Sequence, residues 1–295
     1  MARTDAVSRS APTPYPELNA VLSHLVEGAK SALKGNLIGA YLQGSFAVGD
    51  HSAYSDCDFI IVVERDLAFS EMRALQRLHK EIHLLPYPYW RRGLEGSYAP
   101  AAILRRWSTV PRDPPGEPRP DDWADPGTAG TPPRAYPFWY LDHGSDTLVR
   151  SEHDNTQVVR WCLREKGVVL TGPDPRKLID PVSPTALRAE VRETMDRCFS
   201  TDLPMPMIAW QAFWVGLYCR MLHTLATGEV ASKKQAMSWA LNVVDPQWHG
   251  LIARAKNLKK GDEAHASLAA DPIEVEATYK FAAYSIAFAD QSGPL

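Results

Sequence analysis

Gly44-Ser45-Phe46-Ala47-Val48-Gly49-Asp50, followed by Ser55-Asp56-Cys57-Asp58-Phe59-Ile60-Ile61-Val62-Val63, is the stretch on which the reading of this chain turns. Successive side chains of a strand alternate between faces, so Asp56 and Asp58, two apart at the mouth of an apolar run, project from one face. Two carboxylates so placed can grip divalent metal, Mg²⁺ above all. The Gly44-Ser45 pair just upstream supplies backbone N–H groups, a hydroxyl and room for close approach, which suits a polyphosphate. Neither feature is specific alone, since Gly-Ser is usually a turn and Asp-x-Asp usually a solvated loop. Ordered between two apolar runs, Leu37 to Gln43 and Phe59 to Val63, they read as a strand, a phosphate loop and a second, buried strand. That combination points to nucleotide chemistry.

The surrounding pattern extends this into an α/β half. Leu18, Val21, Leu22, Leu25, Val26, Ala29 and Leu33 have helical spacing from Pro16 to near Gly35, and Met72, Leu75, Leu78 and Ile82 mark a helix over Ser70 to Leu84. Phe138 to Leu141 and Thr147 to Val149 read as strands, and Thr156 to Lys166 as a helix closed by Gly167. Between 110 and 137 prolines at 111, 114, 115, 118, 120, 126, 132, 133 and 137 rule out helix or central strand. This stretch is expected to be a mobile insert in preference to a functional flap. Beyond Asp180-Pro181-Val182 every patterned segment is helical: 185–198, 206–227, 232–243, 247–258 and 272–288. An α+β fold is therefore expected, with a mixed sheet flanked by helices over residues 1–175 and a helical bundle domain over 176–295.

The 295-residue chain has 45% hydrophobic and 23% charged residues, and a net charge of -3. That balance offers no basic footprint for nucleic acid and disfavours templated polymerisation or tRNA-end addition. The start Met-Ala-Arg-Thr-Asp lacks an apolar signal core and no run is long enough to span a bilayer, so a cytoplasmic protein without membrane partners is expected. A monomer is expected too. Cys57, Cys162, Cys198 and Cys219 sit in apolar patterns without metal spacing and read as buried free thiols. A third carboxylate is needed to take the proton of an attacking hydroxyl. Glu95, within Leu94-Glu95-Gly96-Ser97-Tyr98, is the candidate general base, the alternative being an exposed glutamate on an edge strand.

Gly-Ser, a short spacer with a second Gly, and Asp-x-Asp opening a hydrophobic strand resemble the signature of the polymerase-β-like nucleotidyltransferase superfamily. In the second half, Arg220 inside one helix, the turn at Gly228, Lys233 opening the next helix and Trp239 six residues on resemble the bacterial streptomycin and spectinomycin 3''-adenylyltransferases. Leu170-Thr171-Gly172-Pro173 with Leu178-Ile179-Asp180-Pro181-Val182 is similar to the segment linking that family's domains. The resemblance implies ATP as substrate, Mg²⁺ held by Asp56 and Asp58, and Glu95 as base. It further implies that Gly44, Ser45, Arg220 and Lys233 bind the nucleotide, with a small-molecule acceptor in the interdomain cleft. Trp239 reads more simply as core packing. Where the family carries acids for its cationic antibiotic, this chain offers Asp202 alone, and Trp210 and Phe213 replace polar groups. Asp202, Trp210 and Trp214 are the candidate acceptor contacts. Adenylyl transfer to an aminoglycoside or aminocyclitol hydroxyl is thus expected, another small hydroxylated acceptor or a non-catalytic nucleotide-binding protein being the alternatives.

Overall fold

The computed structural model describes residues 11–53, 55–108, 135–200, 203–258, 261 and 263–292. The core of the proline-rich stretch, from 110 to 134, lies outside them. Its end does not behave as an insert, for Ala135 and Tyr136 are buried where the chain enters the sheet.

In chain order, α1 (Pro16–Leu33) precedes β1 (Leu37–Leu42), α2 (Gly44–Ala47), β2 (Cys57–Val63), α3 (Phe69–Ile82), β3 (Leu94–Pro100) and α4 (Ala101–Leu104). Next come β4 (Phe138–Leu141), β5 (Leu148–Ser151), α5 (Gln157–Lys166) and β6 (Val168–Thr171). The helical half is α6 (Pro184–Ser200), α7 (Ile208–Thr227), α8 (Lys233–Ala240), α9 (His249–Asn257), α10 (Glu263–Ala266) and α11 (Pro272–Ser292). The six strands form one mixed sheet in the order β5-β4-β3-β2-β1-β6, with β2 and β3 parallel and every other pair antiparallel.

Strand β2 is continuous in its hydrophobicity because both its faces are covered. Cys57, Phe59, Ile61 and Val63 face α1 and α3 in one core, while Ile60 and Val62 join Tyr41, Ala99, Ile103, Leu104 and Leu163 in a second core on the opposite face. Asp58 shares the parity of Ile60 and Val62, so it looks toward α5. A third core fills the helical half around Met195, Tyr218, Cys219, Ile252 and Phe281. Where the halves meet, Cys162, Leu187 and Val230 are buried together against Val48, Val158, Trp161 and Val182. Each fully buried Leu or Val there contributes about 1.5–3 kcal/mol, so the contact is a packed seam.

Two local features fix the path. Thr156 caps α5 by accepting the Val159 N–H at 3.0 Å. Arg160, 1% exposed, then donates to the carbonyls of Ile103, Leu104 and Thr156 and to Asn155 Oδ1, locking α5 to the end of β3 and α4. Cys57, Cys162 and Cys219 are buried free thiols as expected, and Cys198 is half-buried.

Candidate active site

Parallel pairing of β2 with β3 sets Asp58 directly against Glu95. Register partners in neighbouring strands share a face, so both carboxylates emerge on the α5 side, with Asp56 one pleat earlier. The first turn after β1 comes to meet them. Gln43 continues the ladder by donating its N–H to the Asp58 carbonyl at 2.9 Å, and Gly44, at φ 56°, opens the single-turn helix α2. The Gly-Ser pair is thus the start of a helical turn and not a simple reverse turn. A Cβ on Gly44 would lie 1.8 Å from Asp58 Oδ2, so only glycine lets this backbone rest on the carboxylate.

The trio is anchored by residues the sequence did not single out. Tyr140 on β4 donates its hydroxyl to Glu95 Oε1 at 2.5 Å, and His153 Nε2 lies 3.6 Å from the same oxygen. Asp154, 3% exposed, accepts from Ser97 Oγ at 2.7 Å and from Gln43 Nε2 at 2.9 Å, tying β3 and the end of β1 to the start of α5. His143, in the turn after β4, has Nδ1 3.1 Å from Asp56 Oδ1. One signal for these residues was present: Asp142-His143-Gly144 and Glu152-His153-Asp154 are polar triplets closing the two ends of the β4–β5 hairpin.

Crowded anions dominate the electrostatics. Burial first, then the charges of Glu95, Asp154 and Asp56, push Asp58 up to about 7 against the opposing pull of His153. Burial also raises Glu95, which the Tyr140 hydrogen bond and His153 oppose and Asp154 and Asp56 reinforce. Asp154 is raised by burial, with His153 and its two hydrogen bonds pulling the other way. Carboxylates held this close call for a cation, and a hard oxygen donor set suits Mg²⁺. Ser45 Oγ, in the first turn of α2, is a buried hydroxyl without a hydrogen-bond partner among the described residues.

The cations come from the helical half. Gly216, Leu217 and Arg220 fall on one stripe of α7, and the Lys233 stem crosses it at Gly216, where an added Cβ would touch Lys233 Cγ at 3.0 Å. Its ammonium sits 5.6 Å from the centre of the Phe213 ring. Burial pushes the Cys162 thiol of α5 up to about 11, with the charge of Arg220 opposing and that of Asp58 reinforcing the shift. Trp210 and Phe213, 43% and 38% exposed, continue the stripe, while the Trp214 indole donates to the Pro204 carbonyl at 3.1 Å. Asp202 lies outside the described residues. Trp239 packs partly buried against the helical core.

With this geometry in view, comparison with known proteins is informative. Residues 177–284 match the family described as aminoglycoside adenylyltransferase, C-terminal domain. The helical half is thus similar to the C-terminal domain of the aminoglycoside adenylyltransferases. Aminoglycoside (3'') (9) adenylyltransferases of Klebsiella pneumoniae and Shigella flexneri are each 29% identical over 111 residues, 38% of this chain and 41% of the relative. The chain therefore spans about two fifths of the curated relatives it matches. The fold as a whole resembles the spectinomycin adenyltransferase of Enterococcus faecialis solved with ATP and spectinomycin, with a TM-score of 0.61, 16% identity, and coverage of 91% of this chain and 98% of that one. The mixed sheet with an appended helical half thus shares the fold of that structure. Among the described residues no helix is long and apolar enough to cross a membrane.

Proposed function

We propose that this protein is an adenylyltransferase that moves AMP from ATP to a hydroxyl of an aminoglycoside or aminocyclitol and releases pyrophosphate. The observation that carries the reading is the register of Asp58 on Glu95, with Asp56 one pleat earlier at the mouth of the same strand. In this reading Asp56 and Asp58 hold Mg²⁺, whose chemistry is to neutralise charge on the triphosphate. Glu95, steadied by Tyr140, accepts the proton of the acceptor hydroxyl. The freed oxygen forms a bond to the α-phosphorus as the bond from that phosphorus to the bridging oxygen breaks, and pyrophosphate departs with the electron pair. Arg220 and Lys233 offset its charge, and the Gly44-Ser45 backbone and the Ser45 hydroxyl orient the phosphates.

A second acceptor class is supported by the stripe itself. Trp210 and Phe213 present exposed aromatic surface where a polycation needs carboxylates, which favours a less cationic hydroxylated molecule. The test for both is a pyrophosphate-release screen with ATP and Mg²⁺ against aminoglycosides, aminocyclitols and neutral polyols, with Glu95→Gln as control. Turnover that survives Glu95→Gln unchanged, or no turnover with any hydroxylated acceptor, would reject the reading.

A further inference from the structure

Beside the carboxylates stands an imidazole that adenylyl transfer does not require. One donor atom each from Asp56, Glu95 and His143 lies within 4.8 Å of the others, although the three residues come from the approach to β2, from β3 and from the β4–β5 turn. We infer that these three side chains form a site for a borderline divalent cation of the Zn²⁺, Co²⁺ or Mn²⁺ class, filled in the protein before nucleotide binds. This goes beyond adenylyl transfer, because it concerns the nucleotide-free protein, while sharing two carboxylates with that reading.

The donors are held in place by their neighbours, as metal ligands generally are. Glu95 Oε1 is fixed by the Tyr140 hydroxyl. The turn that carries His143 is pinned by the Gly144 N–H on the Arg92 carbonyl at 3.1 Å and by the Ser145 N–H on the Asp142 carbonyl at 3.0 Å. Gly144 has φ 73°, the left-handed conformation that lets the chain reverse immediately after the histidine. The His143 ring nitrogen already approaches Asp56 Oδ1, so an ion would replace the proton that lies between them. Asp56 and His143 are half-exposed, with side chains 56% and 49% accessible, which leaves an entry path and open coordination positions.

Donor chemistry decides the class of ion. Mg²⁺ dehydrates reluctantly and is normally held by one or two carboxylates together with substrate phosphates, so a nucleotide-free site gives it little. A mixed set of two oxygens and one imidazole nitrogen follows the Irving–Williams order instead, favouring Co²⁺ and Zn²⁺ over Mn²⁺ and all of them over Mg²⁺. His143 is therefore the residue that sets metal preference.

The experiment titrates the nucleotide-free, full-length protein with Co²⁺, following visible absorption and equilibrium dialysis, in the parent, His143→Ala, His153→Ala and His143→Cys. The Co²⁺ affinity should fall about tenfold or more in His143→Ala, and by less than about twofold in His153→Ala, although His153 stands by the same Glu95. His143→Cys should keep the site and add thiolate-to-cobalt charge-transfer absorption, tying the ion to position 143 even if the alanine variant folds poorly. Equal affinities in the parent and His143→Ala, equal losses in both alanine variants, or no charge-transfer band with the cysteine would overturn the inference. No ATP is present, so this site can fail while transfer with Mg²⁺ succeeds, and the reverse.

Discussion

Gly44 rests on Asp58 so closely that a methyl group there would come within 1.8 Å of the carboxylate oxygen. The contact joins the turn after β1 to the Asp58 carboxylate without any intervening side chain. Gly44→Ala should push Asp58 out of line and also strain a φ of 56°. An error of about 1 Å in such a group costs on the order of 10²-fold in rate. Turnover should drop by that order and calorimetric ATP affinity should weaken, while Gly49→Ala, whose Cβ meets nothing within 4 Å, should affect stability through its φ of 72° and leave the Asp58 geometry intact. Equal turnover in the two variants would mean that the close approach at Gly44 does not matter.

The pH dependence of stability should carry the mark of a histidine remote from the site. His79 on α3 is 1% exposed and hydrogen-bonded to Tyr98 Oη at 2.7 Å, and burial pulls it down to about 3 from the usual 6.5, helped by the charge of His83 and opposed by Asp146. The unfolded chain takes up this proton first, so stability is complete above about 6.5 and falls as pH drops from there toward 3. Each unit of that interval is about 1.4 kcal/mol. Urea unfolding at pH 4.5 should therefore show a loss of about 2–3 kcal/mol relative to pH 7 from this group. In His79→Gln, which cannot charge, that loss should be smaller by the same amount. An acid limb unchanged by the substitution would exclude His79 as its source.

Much of this architecture was legible because the residues that form it lie near one another in sequence. The helical spacing of Leu18 to Leu33, of Met72 to Ile82 and of α6, α7, α8, α9 and α11 is local, and each of these helices formed within a few residues of its expected limits, whereas the short α10 was not expected. Asp56, Asp58 and Glu95 were readable as candidates because acids beside buried apolar strands are anomalous. Strand β6 was not, since Val168–Thr171 is half-exposed at the sheet edge and has no alternation to mark it. Asp154, His143 and His153 sit in polar triplets that could be seen in the sequence, but their pairing was hidden for a different reason. Their partners Ser97 and Glu95 lie on β3 and Asp56 just before β2, and only the pairing of β2, β3, β4 and β5 brings them together. The order of strands in a sheet is a non-local property that spacing does not encode.

Asp50 follows α2 and reaches across to the helical half, where its Oδ2 accepts the backbone N–H of Lys234 at 3.2 Å and its Oδ1 lies 3.8 Å from the Lys234 ammonium. The two contacts are unequal. The lysine side chain is 71% exposed, and such an ion pair contributes about 0–1 kcal/mol, whereas a carboxylate at the first turn of α8 also satisfies a helix N–H and meets the dipole. Lys234→Ala should accordingly leave ATP affinity within about twofold of the parent, and Asp50→Ala should weaken it several-fold by loosening the helix that carries Lys233. Isothermal titration with ATP checks both. Identical effects would place the coupling in the ammonium instead of the helix end.

Arg220 and Lys233 belong to different helices but converge on one stripe, the lysine stem lying across Gly216 one turn before the arginine. A cation at the first position of α8 is unfavourable against the helix dipole, and a half-buried arginine on an apolar helix loses hydration, so both placements cost stability that an anion would restore. In the proposed reading that anion is the β,γ end of ATP. Removing either cation should then weaken ATP binding more than AMP binding, because AMP lacks the phosphates they offset. Charged hydrogen bonds of this kind contribute about 1.5–3 kcal/mol, so ATP affinity should fall by about tenfold to a hundredfold in Arg220→Ala or Lys233→Ala. AMP affinity should change little. Gly216→Ala supplies an independent check, since a Cβ there displaces the Lys233 stem without removing its charge and should reproduce part of the ATP defect. If ATP and AMP were weakened alike in all three variants, the stripe would be contacting the nucleoside or holding the helices together, and the phosphate assignment would have to be given up.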